Sequence, residues 1–404
     1  MTASVHIHSG SWPRQRLATF QTARNVRRGW RLGDFTGASF EVLPSEAAFL
    51  ALGQRNLLRL GNMVVIESTW MPYWVGFIEK VTWTLKAGSI QVEAQEWASV
   101  LQDRKTPKQF LVAGENTSTA VRRVMYEANA RNPTGIQVAA VLEPGARATT
   151  DLSSMSVADA LDNLCEISGQ EWWVGAVVSA AKVDLTLYVG SRGEDKSGRI
   201  VLRDGPFLVD ANYTHDARNV VASLTIVGQA PGGSFALRPA ATVAVVGEKA
   251  VSPLQSSESG AVSGQVLVAS DQQGSRLLPW LGPATARDLV SVSPLSDDQT
   301  ISALALSQLD RQYRGPEEVE AVVSLSSGLL TDVDVGDTVG IESENLGPSG
   351  ISKAFRVQEI TVDEAAGTVT VSGHTEGGLT PRRGLRGLLR GIEASVRDLQ
   401  RSSS

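Results

Sequence analysis

Short apolar runs punctuated by glycine and polar pairs dominate the chain, and one such pattern occurs twice. Gly336-Asp337-Thr338-Val339-Gly340-Ile341-Glu342-Ser343 leads through a loop to Phe355-Arg356-Val357-Gln358-Glu359-Ile360, then to Gly367-Thr368-Val369-Thr370-Val371. Earlier in the chain, Gly61-Asn62-Met63-Val64-Val65-Ile66-Glu67-Ser68 leads to Phe77-Ile78-Glu79-Lys80-Val81, then to Gly88-Ser89-Ile90-Gln91-Val92. The first blocks agree at five of eight residues, which chance alone supplies in a chain of this length; the conserved order of three blocks points to duplication. Ile78 to Val81 and Val357 to Ile360 also share an odd spacing. Because strand side chains alternate between faces, an odd spacing swaps the face of the apolar residue, and the same bulge is expected in both copies.

Between and around the copies the pattern changes period. From Ile7 to Val42 it is β-like, and Ser45 is placed to cap a short helix, Glu46 to Leu52, ended by Gly53. Trp97 to Arg104 reads as a helical turn that closes the first unit, and Thr106-Pro107 marks a boundary. A helix then follows Asn116-Thr117-Ser118, with Ala120, Val121, Val124, Met125 and Ala128 on one face, and stops at Asn132-Pro133. A second opens at Ser156-Val157-Ala158-Asp159, a variant of the capping box, and ends at Ser168-Gly169. Strands are expected over 171–178 and 182–189, then again over 219–228, where a second barrel would begin. Residues 229–298, rich in Ser, Gly, Ala and Pro, read as an insertion, followed by a helix over 300–313. The β pattern resumes at Val319. After Pro381, Leu385, Leu388, Leu389, Ile392, Val396 and Leu399 form one apolar stripe. So short a helix is marginal alone, so its stripe packs on its own copies, on a partner or back onto its own domain.

Composition narrows the class without changing the picture. The apolar fraction of 42% and charged fraction of 20% suit a globular protein, and 404 residues allow two to four domains. A net charge of -6 gives no support for sequence-specific nucleic-acid binding. The single Cys165 excludes an intramolecular disulfide framework. No apolar run approaches the ~18 residues of a membrane span, and no secretory leader is evident, so synthesis in the cytoplasm without stable membrane insertion is expected.

Catalytic chemistry is weakly represented. His6 and His8 have a spacing that suits zinc from one strand face, yet no carboxylate or thiol cluster adjoins them, and a surface position is expected. His215-Asp216 and His374-x-Glu376 do not form a convincing site, and Asp332, Asp334 and Asp337 read as solvated turn residues rather than a cation site. No phosphate loop, dinucleotide fingerprint or nucleophile elbow occurs, so no enzyme activity, cofactor or metal is expected. The aromatic connection Trp70-Met71-Pro72-Tyr73-Trp74 either covers the mouth of a small barrel or meets a partner subunit. Trp172 and Trp173 suit either a core or a sugar-stacking platform.

The arrangement of parts resembles the baseplate and tail-tip hub proteins of tailed phages. The residues that carry the resemblance are Trp30, Gly37 and Phe40, Gly61 to Ser68, Gly76-Phe77-Ile78 with Trp97 and Leu101-Gln102-Asp103-Arg104, Ser168-Gly169-Gln170-Glu171-Trp172, Asn219 to Gly228, and Gly336 to Ser372. The fold class it implies is mainly β with α+β inserts. Two similar β-barrel domains would span 1–105 and 205–230 plus 317–380, with an α+β module over 106–204, an insertion over 231–316 and a C-terminal amphipathic helix over 381–404. It further implies a homotrimer whose six like domains make a pseudo-sixfold ring in the virion tail tip, with a distal tail protein ring, a tape-measure protein and tip or fibre proteins as partners. Trp70, Tyr73, Trp74 and the Leu385 to Leu399 stripe are the candidate contact residues. A tail-associated cell-wall hydrolase or peptidase, and a carbohydrate-binding receptor-recognition protein, are the alternatives.

Overall fold

The structure is a computed structural model and describes residues 3–11, 14–69, 71–84, 88–179, 182–215, 317–346 and 350–375, with six further strands between 221 and 292. The first part contains β1 (Ser4–His8), β2 (Arg16–Phe20), β3 (Arg24–Arg31) and β4 (Gly37–Val42). Helices α1 (Ala47–Leu52) and α2 (Gln54–Leu57) precede β5 (Met63–Glu67), β6 (Trp74–Thr84), β7 (Ser89–Glu96) and the one-turn α3 (Val100–Asp103). Ser45 is not the cap of α1; Glu46 holds that place and makes no side-chain capping bond.

The middle part alternates β8 (Leu111–Asn116), α4 (Thr117–Arg131), β9 (Ile136–Val138), β10 (Arg147–Asp151), α5 (Val157–Ser168), β11 (Glu171–Val178) and β12 (Val183–Gly190). Ser156 caps α5 by accepting from the Asp159 amide at 3.0 Å, and Gly169 ends the helix in the left-handed conformation. The apolar faces of α4 and α5 share one core with β12 and with Met63, Val65 and Trp97 of the first part.

Next come β13 (Val201–Arg203), β14 (Leu208–His215), β15 (Val221–Val227), β16 (Arg238–Val246), β17 (Lys249–Ala250), β18 (Leu254–Gln255), β19 (Val262–Leu267) and β20 (Arg287–Val292). The last strands are β21 (Glu317–Ser324), β22 (Thr338–Ser343), β23 (Ile351–Asp363) and β24 (Thr368–Thr375). The strand at 221–227, expected to open the second unit, instead pairs with β16 and β20 in a separate six-stranded sheet. Strand β14 takes the expected place, antiparallel to β21. The expected helices over 300–313 and 381–404 lie outside the described residues, as does Trp70.

The protein is mainly β. Its principal sheet has thirteen strands, in the order β14-β21-β24-β23-β3-β4-β7-β6-β5-β1-β2, with β22 attached beside β23 and β13 beside β22. Two separate barrels were expected, but among the described residues no sheet closes on itself. The reason lies in β23, which outruns β22. Its first half pairs with β22 and its second half, on the same edge, pairs with β3. The edge that ring closure would consume is spent on joining the two copies into one sheet.

Candidate assembly surface

The sequence repeat is a structural repeat. Strands β3-β4-β7-β6-β5 and β14-β21-β24-β23-β22 follow one another in the same order, all antiparallel. The registers coincide as well. Met63 faces Phe77 as Thr338 faces Arg356, and Phe77 faces Gln95 as Arg356 faces His374. The register shifts between Ile78 and Lys80 in the first copy, and between Val357 and Glu359 in the second. The odd spacing in the sequence therefore marks a bulge at the same place in both copies.

A shared turn fixes the start of each repeat. Gly61 and Gly336 adopt φ of 85° and 97°, a region that glycine enters without a Cβ clash. Their amides donate to the Ile78 and Val357 carbonyls at 2.9 and 2.8 Å, and the Ile78 and Val357 amides return bonds to the Asn62 and Asp337 carbonyls.

The side chains on this common backbone differ. The Asn62 amide donates to the Asn56 and Leu57 carbonyls and ties the turn to α2. Asp337, expected to be solvated, is 2% exposed; it accepts from the Asp334 and Glu194 amides and pairs with Lys196 at 2.8 Å. Asp334 receives Arg192 at 3.1 Å. These aspartates hold the chain leaving the middle part, and among the described residues no group of three or more His, Cys, Asp or Glu could hold a metal.

The middle part is fastened to both copies. The Arg14 guanidinium donates to the Val183 and Gly135 carbonyls and lies 4.6 Å from the Trp97 ring centroid. On the other side Arg356 makes a two-pronged bond with Glu171 at 2.9 and 2.6 Å.

The join between the copies is charged at its ends and buried in its middle. Arg31 pairs with Glu359, and Arg27 pairs with Asp363 at 2.8 Å. Between them Arg28, 1% exposed, bonds Glu364 at 3.0 Å and sits 5.7 Å from the Trp30 ring centroid. Burial alone pulls the Arg28 pKa down, and Glu364 opposes that shift.

Candidate contact residues separate by face. Trp74 is buried against Gly76, whose Cβ, if present, would stand 2.2 Å from the indole. Tyr73, its neighbour on the opposite face, is 42% exposed and donates to Glu67 at 3.1 Å. Glu67 also receives His6 Nε2 at 2.9 Å, while His6 Nδ1 accepts from Thr19. His6 and His8 are not at the surface; both rings are buried, and burial lowers both pKa values. His8 spends Nδ1 on the Arg14 carbonyl. Trp172 is buried too, donating to Asp162 at 2.6 Å, whereas Trp173 is half-buried and stacks on Tyr188 at 5.6 Å between centroids. Trp172 is thus not available as a sugar platform, and Trp74 is not available as a partner contact. Asp216 and the stripe from Leu385 to Leu399 lie outside the described residues.

Sequence reasoning missed two surface features. Trp83, near the end of β6, is 55% exposed, and Phe207 and Val209 beside β14 are 52% and 60% exposed. Trp83 stands between Thr82 and Thr84, which concealed it, whereas Phe207 and Val209 flank Leu208 in one short apolar run that reads as buried strand.

Known structures share this arrangement. The chain superimposes on a tail protein from Neisseria meningitidis MC58 with a TM-score of 0.58 and 16% identity, covering 94% of this chain and 99% of that one. The fold is that of phage tail proteins. The 43 kDa tail protein of prophage MuSo2 from Shewanella oneidensis matches with a TM-score of 0.57 and 12% identity over 92% and 98% of the two chains. The prophage tail protein gp18 of Listeria monocytogenes EGD-e matches at 0.53 and 8% identity over 96% and 100%. No family model and no curated protein matches the chain. Among the described residues no helix is long and apolar enough to cross a membrane.

Proposed function

We propose that this tail-protein fold serves as a structural, non-enzymatic hub in a phage tail tip or baseplate. Three copies form a ring with six like units around a central channel, located in the virion. The ring joins the tail tube or a distal tail protein on one side to tip or fibre proteins on the other. Host attachment and genome delivery follow from that position.

The observation that carries this reading is the duplicated five-stranded unit, with strand order, register and bulge held in common. Two like units per chain give a threefold assembly six similar faces, which matches a threefold tip to a sixfold tube. The full-length overlap with three tail proteins supports the tail assignment. The side chains support structure over catalysis. His6, His8 and Asp337 are buried side chains whose bonds hold segments of the chain together.

Native mass measurement of the purified protein and of assembled tips tests this directly. Three copies, or a multiple of three, are expected, and a chain that stays monomeric in the assembled particle contradicts the hub. Zymograms on cell-wall material are expected to show no clearing.

A further inference from the structure

The two copies differ in how the strand edge after the bulge is used: it is paired in the second copy and not in the first. In the second copy the stretch after the bulge, 359–363, pairs with β3: Glu359 with Arg31, Ile360 with Trp30, Thr361 with Gly29, Val362 with Arg28 and Asp363 with Arg27. The matched registers identify the counterpart of that stretch in the first copy as 80–84. Strand β7 occupies one edge of 80–84, and β5 occupies the other edge only as far as Phe77. The counterpart of β3 is β14. Arg28 faces Ala38 as Tyr213 faces Val319, and Arg27 faces Ser39 as Asn212 faces Glu320, with Ala38 and Val319 themselves at equivalent places against β7 and β24. One edge of β14 pairs with β21, and among the described residues the other has no strand beside it.

Exposure follows the same difference. Val362 inside the join is fully buried, while Trp83 at the equivalent position is 55% exposed. An open edge that carries a large apolar side chain is a template for strand pairing, and native chains cover such edges. Both edges belong to one chain, and the internal join already shows how they fit.

We propose that residues 80–84 of one copy pair antiparallel with β14 of a second copy, repeating the internal join. The register transfers directly: Val81 faces His215, Thr82 faces Thr214, Trp83 faces Tyr213 and Thr84 faces Asn212 of the second copy. Trp83 then lies across from an aromatic ring that is itself backed by Lys353, whose Nζ is 5.2 Å from the Tyr213 ring centroid and 3.0 Å from its hydroxyl. The contact is head to tail, since different patches meet, and such contacts close into a ring when the rotation per joint permits. This deepens the trimeric hub reading and rests on it.

A double variant, Thr82→Cys with Thr214→Cys, tests the pairing against a clean background, because the one native thiol, Cys165, is buried. Mild oxidation of the assembled protein is expected to give covalent trimers on a non-reducing gel, with no cross-linked product from either single variant. Moving the second cysteine two residues, as Thr82→Cys with Asn212→Cys, is expected to cut the yield at least fivefold, because diagonal positions are too far apart for good disulfide geometry. A protein that is trimeric by mass yet forms no disulfide in the first variant overturns this pairing and leaves the hub intact. A protein that never assembles overturns both. As a second readout, Trp83→Arg is expected to weaken assembly at least tenfold without lowering the melting temperature of the monomer; unchanged assembly would also overturn the proposal.

Discussion

The two five-stranded units have the same backbone plan and opposite packing solutions. In the first, Gly76 leaves room for the Trp74 ring. In the second, the place of Gly76 is taken by Phe355, and the glycine has moved across the ladder to Gly373, whose Cβ would stand 2.9 Å from that ring. Each unit packs one aromatic ring against one glycine, from the same strand in the first unit and from neighbouring strands in the second. The polar turn shows the same freedom, with Asn62 serving its own helix and Asp337 serving the segment from the middle part. What has been held constant is the ladder and its bulge. A duplicated unit whose core drifts while its register stays fixed is under constraint at its edges, where strands meet other strands.

The largest effect is expected at the join between the units. Arg28→Ala leaves Glu364, 7% exposed at its side chain, as an unpaired buried charge. Loss of about 3–5 kcal/mol is expected in denaturant unfolding, because removal of one partner of a buried pair strands the other. A loss below about 1 kcal/mol would mean that the join contributes little to holding the copies together.

Next comes the ring and glycine exchange. Gly76→Ala places a methyl group 2.2 Å from both the Gln95 carbonyl oxygen and the Trp74 ring, and about 1–3 kcal/mol of destabilisation is expected. The combined change Gly76→Ala with Trp74→Leu is expected to recover part of that loss, which thermal melts would read.

Protonation distinguishes the units more gently. Glu96, where the second unit has Thr375, is held by burial at a pKa of about 7, with the Thr36 amide and Arg192 offsetting part of the shift. The folded chain therefore keeps a proton that the unfolded chain has lost above its ordinary value of 4.5. The stability this gives is complete below that value and disappears as pH rises through about 7. The side chain retains some solvent contact, so the advantage of Glu96→Gln over the native chain is expected to grow by about 2 kcal/mol between pH 5 and pH 8. An advantage that stays flat with pH would contradict a buried carboxyl. The smallest effect is at Tyr73→Phe, where an exposed bond to Glu67 is removed and a change within about 0.5 kcal/mol is expected in melting experiments.

Much of this was written plainly in the sequence. The order of the repeated blocks and the odd spacing after Ile78 and Val357 give the duplicated meander and its bulge, because both depend on local alternation. The caps of α5 were legible for the same reason. The join was not, since it links residues more than 300 positions apart and its strand β3 carries Arg24, Arg27, Arg28 and Arg31, a composition that reads as a solvated face. Closure of each unit into a barrel was expected from a pattern that is equally consistent with an open sheet, because alternation fixes faces and says nothing about which edge meets which. His6 and His8 look like surface residues in isolation and are buried because β1 lies between β2 and β5. The candidate contact residues divided at Tyr73 and Trp74, neighbours whose side chains must lie on opposite faces.

End-on averaged images of the assembled tail tip would reveal the arrangement of the two units directly. They are expected to show a ring of three copies whose six peripheral lobes are nearly alike, with alternate lobes related by exact threefold symmetry. A ring with only three lobes, or an assembly in which the copies built on Gly61 to Val92 and Gly336 to Val371 do not alternate around the axis, would contradict that arrangement.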